Sequence, residues 1–557
     1  MLTRAIRHCL PSLLLAPTLL AGQKLDLTLV SRIKAEAYDH SKVMEHLSYL
    51  SDVYGPRLTA SPEFFQAAEW AADRLREYGV TNVHLEPWGP FGRSWSARQW
   101  SVEMIEPRYA PLSATPLAWS AGTKGSVEGE LVLTPYRRIF NLKKAREAFE
   151  AYRKEWAGKL RGKIVMLGDA KVPAEQTKPQ FRRYTDAELA EIGAAPAHVA
   201  KNYQKLEDLN WPEDPDELGK FLSSLPESTF DDLFFGHLKL QTERSRFFLD
   251  EGVLGILYRD DRAHEGMTFA EQAGSHKAAD PLAPATFAIT GEQYNRLARV
   301  LDKKAPTRVR LSLQVQASDT DINSANIVGE IPGGAKKDEI VMIGAHFDSW
   351  HAGTGATDNG AGSAVMIEVI RILKALNLAM DRTVRIALWS GEEQGLFGSE
   401  AYVKQHFGDA KTMKLLPEHA RLSGYFNLDN GSGKIRGVYL QENDAMRPLF
   451  ESWLAPFRDE GVTAITIKNT SGTDHLSFDA VGLPGFQFVQ DPLDYGTITH
   501  HSSMDTYDHA IPSDLMQASA VIAAVVYQAA NNPDMLPRKE LPRPRQTSQS
   551  SPPTESK

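Results

Sequence analysis

Five short segments in the second half of the chain gather the side chains that bind hard or borderline metal ions. They are Ala345-His346-Phe347-Asp348, Asp358-Asn359-Gly360-Ala361-Gly362, Ser390-Gly391-Glu392-Glu393, Asn427-Leu428-Asp429, and His500-His501-Ser502-Ser503-Met504-Asp505-Thr506. Imidazole is a good zinc ligand, and a carboxylate two residues on can accept the other ring N–H and fix the tautomer. Adjacent carboxylates such as Glu392 and Glu393 invite separate roles, one held by a cation and one exchanging protons. Each segment alone has a plainer explanation. A histidine after a strand is usually a packed structural residue, Asp358 alone is a helix N-cap, and paired glutamates are a solvated surface. Glu392 and Glu393, however, follow a run too apolar to be surface, and five such segments in one domain are not independent accidents. Together they predict a metal-dependent catalytic centre.

The elements around these segments have a common rhythm. Ile340 to Ala345 is a continuous apolar run, as expected of a strand buried on both faces of a parallel sheet. Val365, Val369, Ile372 and Leu376 mark one face of a helix. Val384 to Trp389 is a second run, apolar except for Arg385, and Tyr425 to Leu428 and Gly485 to Val489 read as further strands. Strands alternating with amphipathic helices predict an α/β sandwich with sites at the carboxyl ends of the strands, where most of the candidate residues fall.

The rest of the chain reads differently. Residues 25–79 have a helical pattern, with Ser61 as N-cap, Pro62 at the first helical position, and Phe65, Ala68, Ala72, Leu75 and Tyr78 at helical spacing. From about Gly122 the texture becomes β-rich, with strand-like runs at 127–133, 163–167, 253–258 and 308–315, interrupted by a polar, mostly helical stretch from Thr177 to Arg246. Residues 1–22 carry Arg4 and Arg7 ahead of a short apolar run and read as a secretory signal peptide, which implies a secreted or periplasmic protein. The single cysteine, Cys9, lies inside that segment, so no disulfide is expected in the mature chain. Residues 537–557, rich in Pro, Ser, Arg, Lys and Gln, read as a disordered tail. A net charge of −9 without a basic stripe excludes nucleic acid as a partner, and no later run is long and apolar enough for a membrane span in the mature form.

The runs Ala345-His-Phe-Asp-Ser-Trp, Gly355-Ala-Thr-Asp-Asn-Gly-Ala-Gly and Leu388-Trp-Ser-Gly-Glu-Glu-Gln-Gly resemble the co-catalytic zinc aminopeptidase and glutamate carboxypeptidase family, nearest its plasma glutamate carboxypeptidase branch and bacterial relatives. The resemblance implies an α/β/α sandwich with a mixed, mostly parallel sheet, plus an inserted β-rich protease-associated-like domain. It divides the chain at 23–121, the N-terminal part of the peptidase domain; 122–321, the insertion, with its helical part at 177–246; and 322–536, the zinc peptidase domain. It implies two Zn2+ per chain, with His346 and Asp429 on one, Glu393 and His501 on the other, and Asp358 between them. Glu392 would be the general base and acid, and Asp348 would orient His346. His501 is preferred to His500 by its spacing to Asp505. Ser502 stands where the family pattern has Thr.

The expected activity is hydrolysis of short peptides from a free end, as an aminopeptidase or dipeptidase. A carboxypeptidase acting on acidic residues is second, with Lys434 and Arg436 as the nearby cations. A glutaminyl-cyclase-like acyl transferase would use one zinc, and an inactive binding module would have lost ligands. His351, His475, His500 and Tyr495 are candidates to face substrate. A homodimer is compatible with the sequence.

Overall fold

The structure is a computed structural model that describes residues 26–137, 139–171, 177–197, 211–212, 221 and 227–544. The segment read as a signal peptide, with Cys9, lies outside the described residues. No helix among the described residues is long and apolar enough to cross a membrane.

The catalytic half is built on an eight-stranded sheet. Its strands run in the spatial order 81–88, 324–331, 382–389, 336–346, 422–427, 485–490, 435–439 and 464–466. The four central strands, 382–389, 336–346, 422–427 and 485–490, are mutually parallel, and antiparallel pairs flank them. The apolar runs are continuous because both faces are covered. Val341, Ile343 and Ala345 point toward helices Leu27–Asp39, Val43–Ser48, Pro62–Glu77, Ala361–Ala375 and Pro512–Ala530. Ile340, Met342, Ala387, Trp389 and Tyr425 alternate to the other face, where Tyr402, Val403, Phe407 and Phe478 pack on them. The fold is α/β with mixed sheets. Ser61 caps helix Pro62–Glu77 by accepting from Phe64 N–H at 3.1 Å, with Pro62 at its start.

Between Trp88 and Ser324 the chain leaves this sheet and builds a second one, also of eight strands, in the order 110–111, 94–106, 308–318, 126–134, 163–167, 255–258, 286–289 and 114–116. It begins at Ser94, earlier than the change of texture at Gly122. Strand Ser94–Glu106 alternates apolar and polar residues, with Trp95, Val102 and Met104 turned inward, and pairs antiparallel along the length of Arg308–Ser318. Helix Asp186–Ala194 falls in the stretch expected to be helical, and helix Glu227–Glu251 starts in it and runs past its end at Arg246.

The C-terminal segment is held more firmly than its composition predicts. Residues 537–542, taken as the start of a disordered tail, lie against the catalytic half. Arg538 donates to the carbonyls of His419 and Leu422 at 2.9 and 2.7 Å, and Lys539 pairs with Asp479 at 2.6 Å. The anchors are polar, so composition counted as apolar surface missed them. Residues 545–557 lie outside the described residues.

Candidate metal centre

Three adjacent parallel strands end at the same level. His346 closes its strand in register with Trp389, and Gly344 of the His346 strand is in register with Asn427. The residues that follow, Glu392 and Glu393 on one side and Asp429 on the other, therefore flank His346. Asp358 sits in the turn Ala356–Gly360 ahead of helix Ala361–Ala375, and its backbone is non-helical. His501 arrives from the loop after Tyr495–Thr499, in the left-handed region at φ 61°.

The side chains converge. His346 Nε2 lies 3.3 Å from Asp358 Oδ1 and 3.3 Å from Asp429 Oδ1. His501 Nε2 lies 3.2 Å from Asp358 Oδ2 and 3.0 Å from Glu393 Oε2. Asp358 thus presents one oxygen to each imidazole. Its Oδ2 is buried yet makes no hydrogen bond among the described residues. Both histidines have their Nδ1 occupied elsewhere, His346 by the Asp348 carbonyl at 3.0 Å and His501 by Glu271 Oε1 at 2.9 Å. Each Nε2 is left with its lone pair aimed at carboxylate oxygens. Lone pairs converging on lone pairs in a buried site suit divalent cations, and two imidazoles with three carboxylates are a donor set that zinc accepts. Two overlapping triads, His346–Asp358–Glu393 and Asp358–His500–His501, have ligand atoms close enough to share an ion. The residues fit a metal.

The supports differ from expectation at one point. The Asp348 carboxylate is 3.7 Å from His346 Nδ1, too long for a hydrogen bond; its main-chain carbonyl accepts instead. That carboxylate is taken by the Thr59 hydroxyl at 2.7 Å and by the Glu392 and Glu393 N–H groups at 3.3 and 3.4 Å, so it sets the Glu-Glu turn. Trp350 N–H donates to Glu393 Oε1 at 3.1 Å. Asp505 accepts from Thr357 N–H and hydroxyl at 2.6 and 2.8 Å, fixing the turn before Asp358.

Burial makes Glu392 and Glu393 hard to ionise. Glu392 is raised well above the ordinary range by burial and by Asp429, Asp474 and Glu393, against the pull of His346. Glu393 is pushed up to about 8 by burial and by Asp358, with His501 opposing. Asp358 goes the other way despite burial, because His346 and His501 hold it well below the usual carboxylate range. Burial alone would lower both imidazoles, but the carboxylates around them win and raise both well above 6.5.

Among the remaining candidates, His500 and Tyr495 lie beside the cluster. His500 stacks on His501 at 3.8 Å between centroids, its Nε2 is 3.9 Å from Asp358, and Tyr495 meets it edge-on. His475 does not. It is fully buried, with Nε2 against the Thr470 carbonyl at 3.2 Å and against Gln441, because the helix start at Asp474 turns it inward. His351 Nε2 donates to the Pro116 carbonyl at 2.7 Å and packs edge-on to Trp95. Arg436 is buried and paired with Asp491 at 2.9 Å. Arg57, Thr59 and Glu271 carry no local motif, Thr357 lies inside the Gly355-Ala-Thr-Asp run with no role expected of it, and Asp474 has a buried carboxylate with no hydrogen bond among the described residues, pushed to about 7 by burial and by Asp429.

Residues 326–526, which contain all five strand-end segments, match the family described as Peptidase family M28. Carboxypeptidase Q of Homo sapiens is similar over nearly the full length: 27% identical over 497 residues, 89% of this chain and 86% of the relative. The chain is a metallopeptidase. Aminopeptidase YwaD of Bacillus subtilis is 27% identical over 295 residues, 50% of this chain and 63% of that protein. The fold agrees with two solved structures. A peptidase M28 precursor from Shewanella amazonensis has a TM-score of 0.62 at 24% identity, over 93% of this chain and 98% of that one. A zinc aminopeptidase from Bacillus subtilis has a TM-score of 0.52 at 18% identity, over 88% and 94%.

Proposed function

We propose that the protein is an exported two-zinc exopeptidase that removes residues from the free amino end of short peptides, as an aminopeptidase or dipeptidase. The observation that carries this reading is the placement of Asp358, one oxygen 3.3 Å from His346 and the other 3.2 Å from His501. One carboxylate shared between two otherwise separate ligand pairs is the arrangement a co-catalytic pair needs. His346 and Asp429 would hold one zinc, Glu393 and His501 the other, and Asp358 both. A pair of cations so held polarises a peptide carbonyl and lowers the pKa of water.

The protein's own groups do the rest. Glu392 is adjacent to a ligand but not committed to the cluster, and its raised proton affinity suits a group that takes a proton from the attacking water and delivers it to the leaving amine. Asp348 fixes the turn carrying Glu392. His500 and Tyr495 form a wall on which a small substrate rests, and Tyr495 keeps its phenolic proton because burial and nearby carboxylates raise its pKa.

The acidic-residue carboxypeptidase reading loses its main support, since Arg436 is spent on Asp491. The one-zinc acyl transferase reading would leave the His501–Glu393 pair idle. The second sheet is taken as the protease-associated-like domain, and residues 1–22 as the export signal. The test is Glu392→Gln. It should keep two zincs per chain while kcat on a dipeptide or aminoacyl amide falls by about 10^3 or more. Near-normal turnover would reject Glu392 as the base. A screen of free and end-blocked peptides checks the end preference: blocking the amino end should abolish cleavage.

A further inference from the structure

We propose that Glu271, a residue of the inserted domain, is the positioning residue for His501, so that the insertion completes one of the two metal sites. The inference rests on the reading of His501 as a ligand. Glu271 lies in the loop between strands Gly255–Tyr258 and Thr286–Ile289, 230 residues away in sequence, and its Oε1 receives the His501 Nδ1–H at 2.9 Å. That bond selects the tautomer whose Nε2 lone pair faces Asp358 and Glu393.

Glu271 is itself held. The Arg262 guanidinium donates to the same oxygen at 3.3 Å while gripping Asp260 at 2.9 and 3.2 Å, and it lies over the Phe269 ring at 4.5 Å. The backbone of the loop is clamped alongside. Phe269 bridges Ser502 in antiparallel fashion, Ser503 N–H donates to the Thr268 carbonyl at 2.8 Å, and Thr268 N–H donates to Ser503 Oγ at 3.1 Å. Thr268 ties back to Thr115 of the inserted sheet at 2.8 Å, and Ile498 packs on Met267 and Phe269.

The segment so clamped contains a histidine at φ 61°. A non-glycine residue in the left-handed region costs free energy and persists where its surroundings over-determine it. Here the insertion supplies the contacts at Ser502 and Ser503, while Thr354 and Thr357 of the catalytic half hold Asp505. His346 shows the contrast: its Nδ1 meets the carbonyl of Asp348, two residues on, and its partners Asp358 and Asp429 belong to the catalytic half. Between the two imidazoles, it is His501 whose Nδ1 partner belongs to the inserted domain.

The experiment is zinc titration of the metal-stripped full-length protein, comparing wild type with Glu271→Ala, Glu271→Gln and Arg262→Met. Wild type should take up two zincs. Glu271→Ala should weaken one of them by about 10- to 100-fold and leave the other unchanged. Glu271→Gln, which keeps an acceptor oxygen and is close in shape, should restore part of the loss, and Arg262→Met should fall between wild type and Glu271→Ala. Cobalt loaded in place of zinc should show an altered absorption band for the weakened site alone. Unchanged affinity at both sites in Glu271→Ala, or equal weakening of both, would overturn the assignment; the second pattern is what a general loosening of the fold produces. A wild type that binds a single zinc would strike the two-cation reading itself, and that is visible before any variant is measured.

Discussion

Arg57 shows how much of this site rests on one side chain remote from the chemistry. It is fully buried and donates to the carbonyls of Phe347 and Leu50, each at 2.7 Å, and Gly355 at 2.9 Å, with Thr354 at 3.3 Å. It therefore fixes the loop between His346 and Asp358. Burial lowers its pKa and Asp505, Asp348, Asp358 and Glu393 oppose the fall, leaving it at about 10, so it stays charged and offsets the acidic cluster. Arg57→Met would take the donor from the buried carbonyls of Phe347 and Leu50 and should destabilise the protein by about 3 kcal/mol or more, measured by urea unfolding. Arg57→Lys should rescue little, because a point charge cannot reach four carbonyls spread across a planar fork. A loss under about 1 kcal/mol for Met would show that the loop holds itself. Nothing in Tyr54-Gly-Pro-Arg announces this role. Four of the candidate ligands were legible because they sit just past an apolar strand or ahead of a helix, and His501 by its spacing to Asp505, whereas Arg57 is defined by carbonyls contributed from Leu50 and the 347–355 loop, which no spacing rule brings together.

At the scale of elements, legibility followed the apolar pattern. The central strands stood out as unbroken runs, since both their faces are covered, and their ends pointed to the site. Strands 435–439 and 464–466 were passed over because they are short and lie toward the edge of the sheet, and strand 94–106 because its alternation of polar and apolar residues precedes any change in composition. Charged residues at element ends were equally silent. His406, in the last turn of helix Phe397–His406, is wedged between Glu86 of strand Thr81–Trp88 at 2.8 Å and Glu418 at 3.2 Å. Burial opposes its protonation, yet Glu418 and Glu86 raise its pKa from 6.5 to about 9, while Glu418 is pulled from 4.5 to about 2, chiefly by His406. The histidine's contribution is complete below 6.5 and is lost as pH climbs through about 9; the glutamate's is complete above 4.5 and is lost as pH falls through about 2. The pin is thus strongest between about 4.5 and 6.5. His406→Gln should lower the melting temperature most in that window, and its deficit should shrink steadily toward pH 9. A deficit independent of pH would mean that the ring matters only through its packing on Tyr402.

Across the whole molecule, the acidic cluster makes stability a question of what occupies the centre. Without a cation, Glu393 titrates near 8 rather than 4.5, and Asp505, raised by burial and then by Asp358, near 7 rather than 3.8. Between the unfolded and folded values the native state holds protons that the unfolded chain has released, so native stability falls as pH rises through that interval. His346 and His501, raised above 6.5, push in the same direction at the upper end. Asp358 acts oppositely, but only at lower pH, because its folded value is depressed below 3.8. Metal-stripped protein should therefore be most stable in mild acid and lose stability continuously from about pH 4.5 to about pH 8. Zinc competes with those same protons, so its binding strengthens over the interval in which the stripped protein weakens. Saturating zinc at about 100 times its dissociation constant adds about 2.7 kcal/mol per site. The melting temperature of zinc-loaded protein should exceed that of the stripped form at every pH, and the gap should widen from pH 5 to pH 8. Paired thermal scans with and without a chelator would measure it. A gap that narrows toward pH 8 would mean that the buried carboxylates give up their protons at ordinary values, and that the cluster is more open to water than its geometry implies.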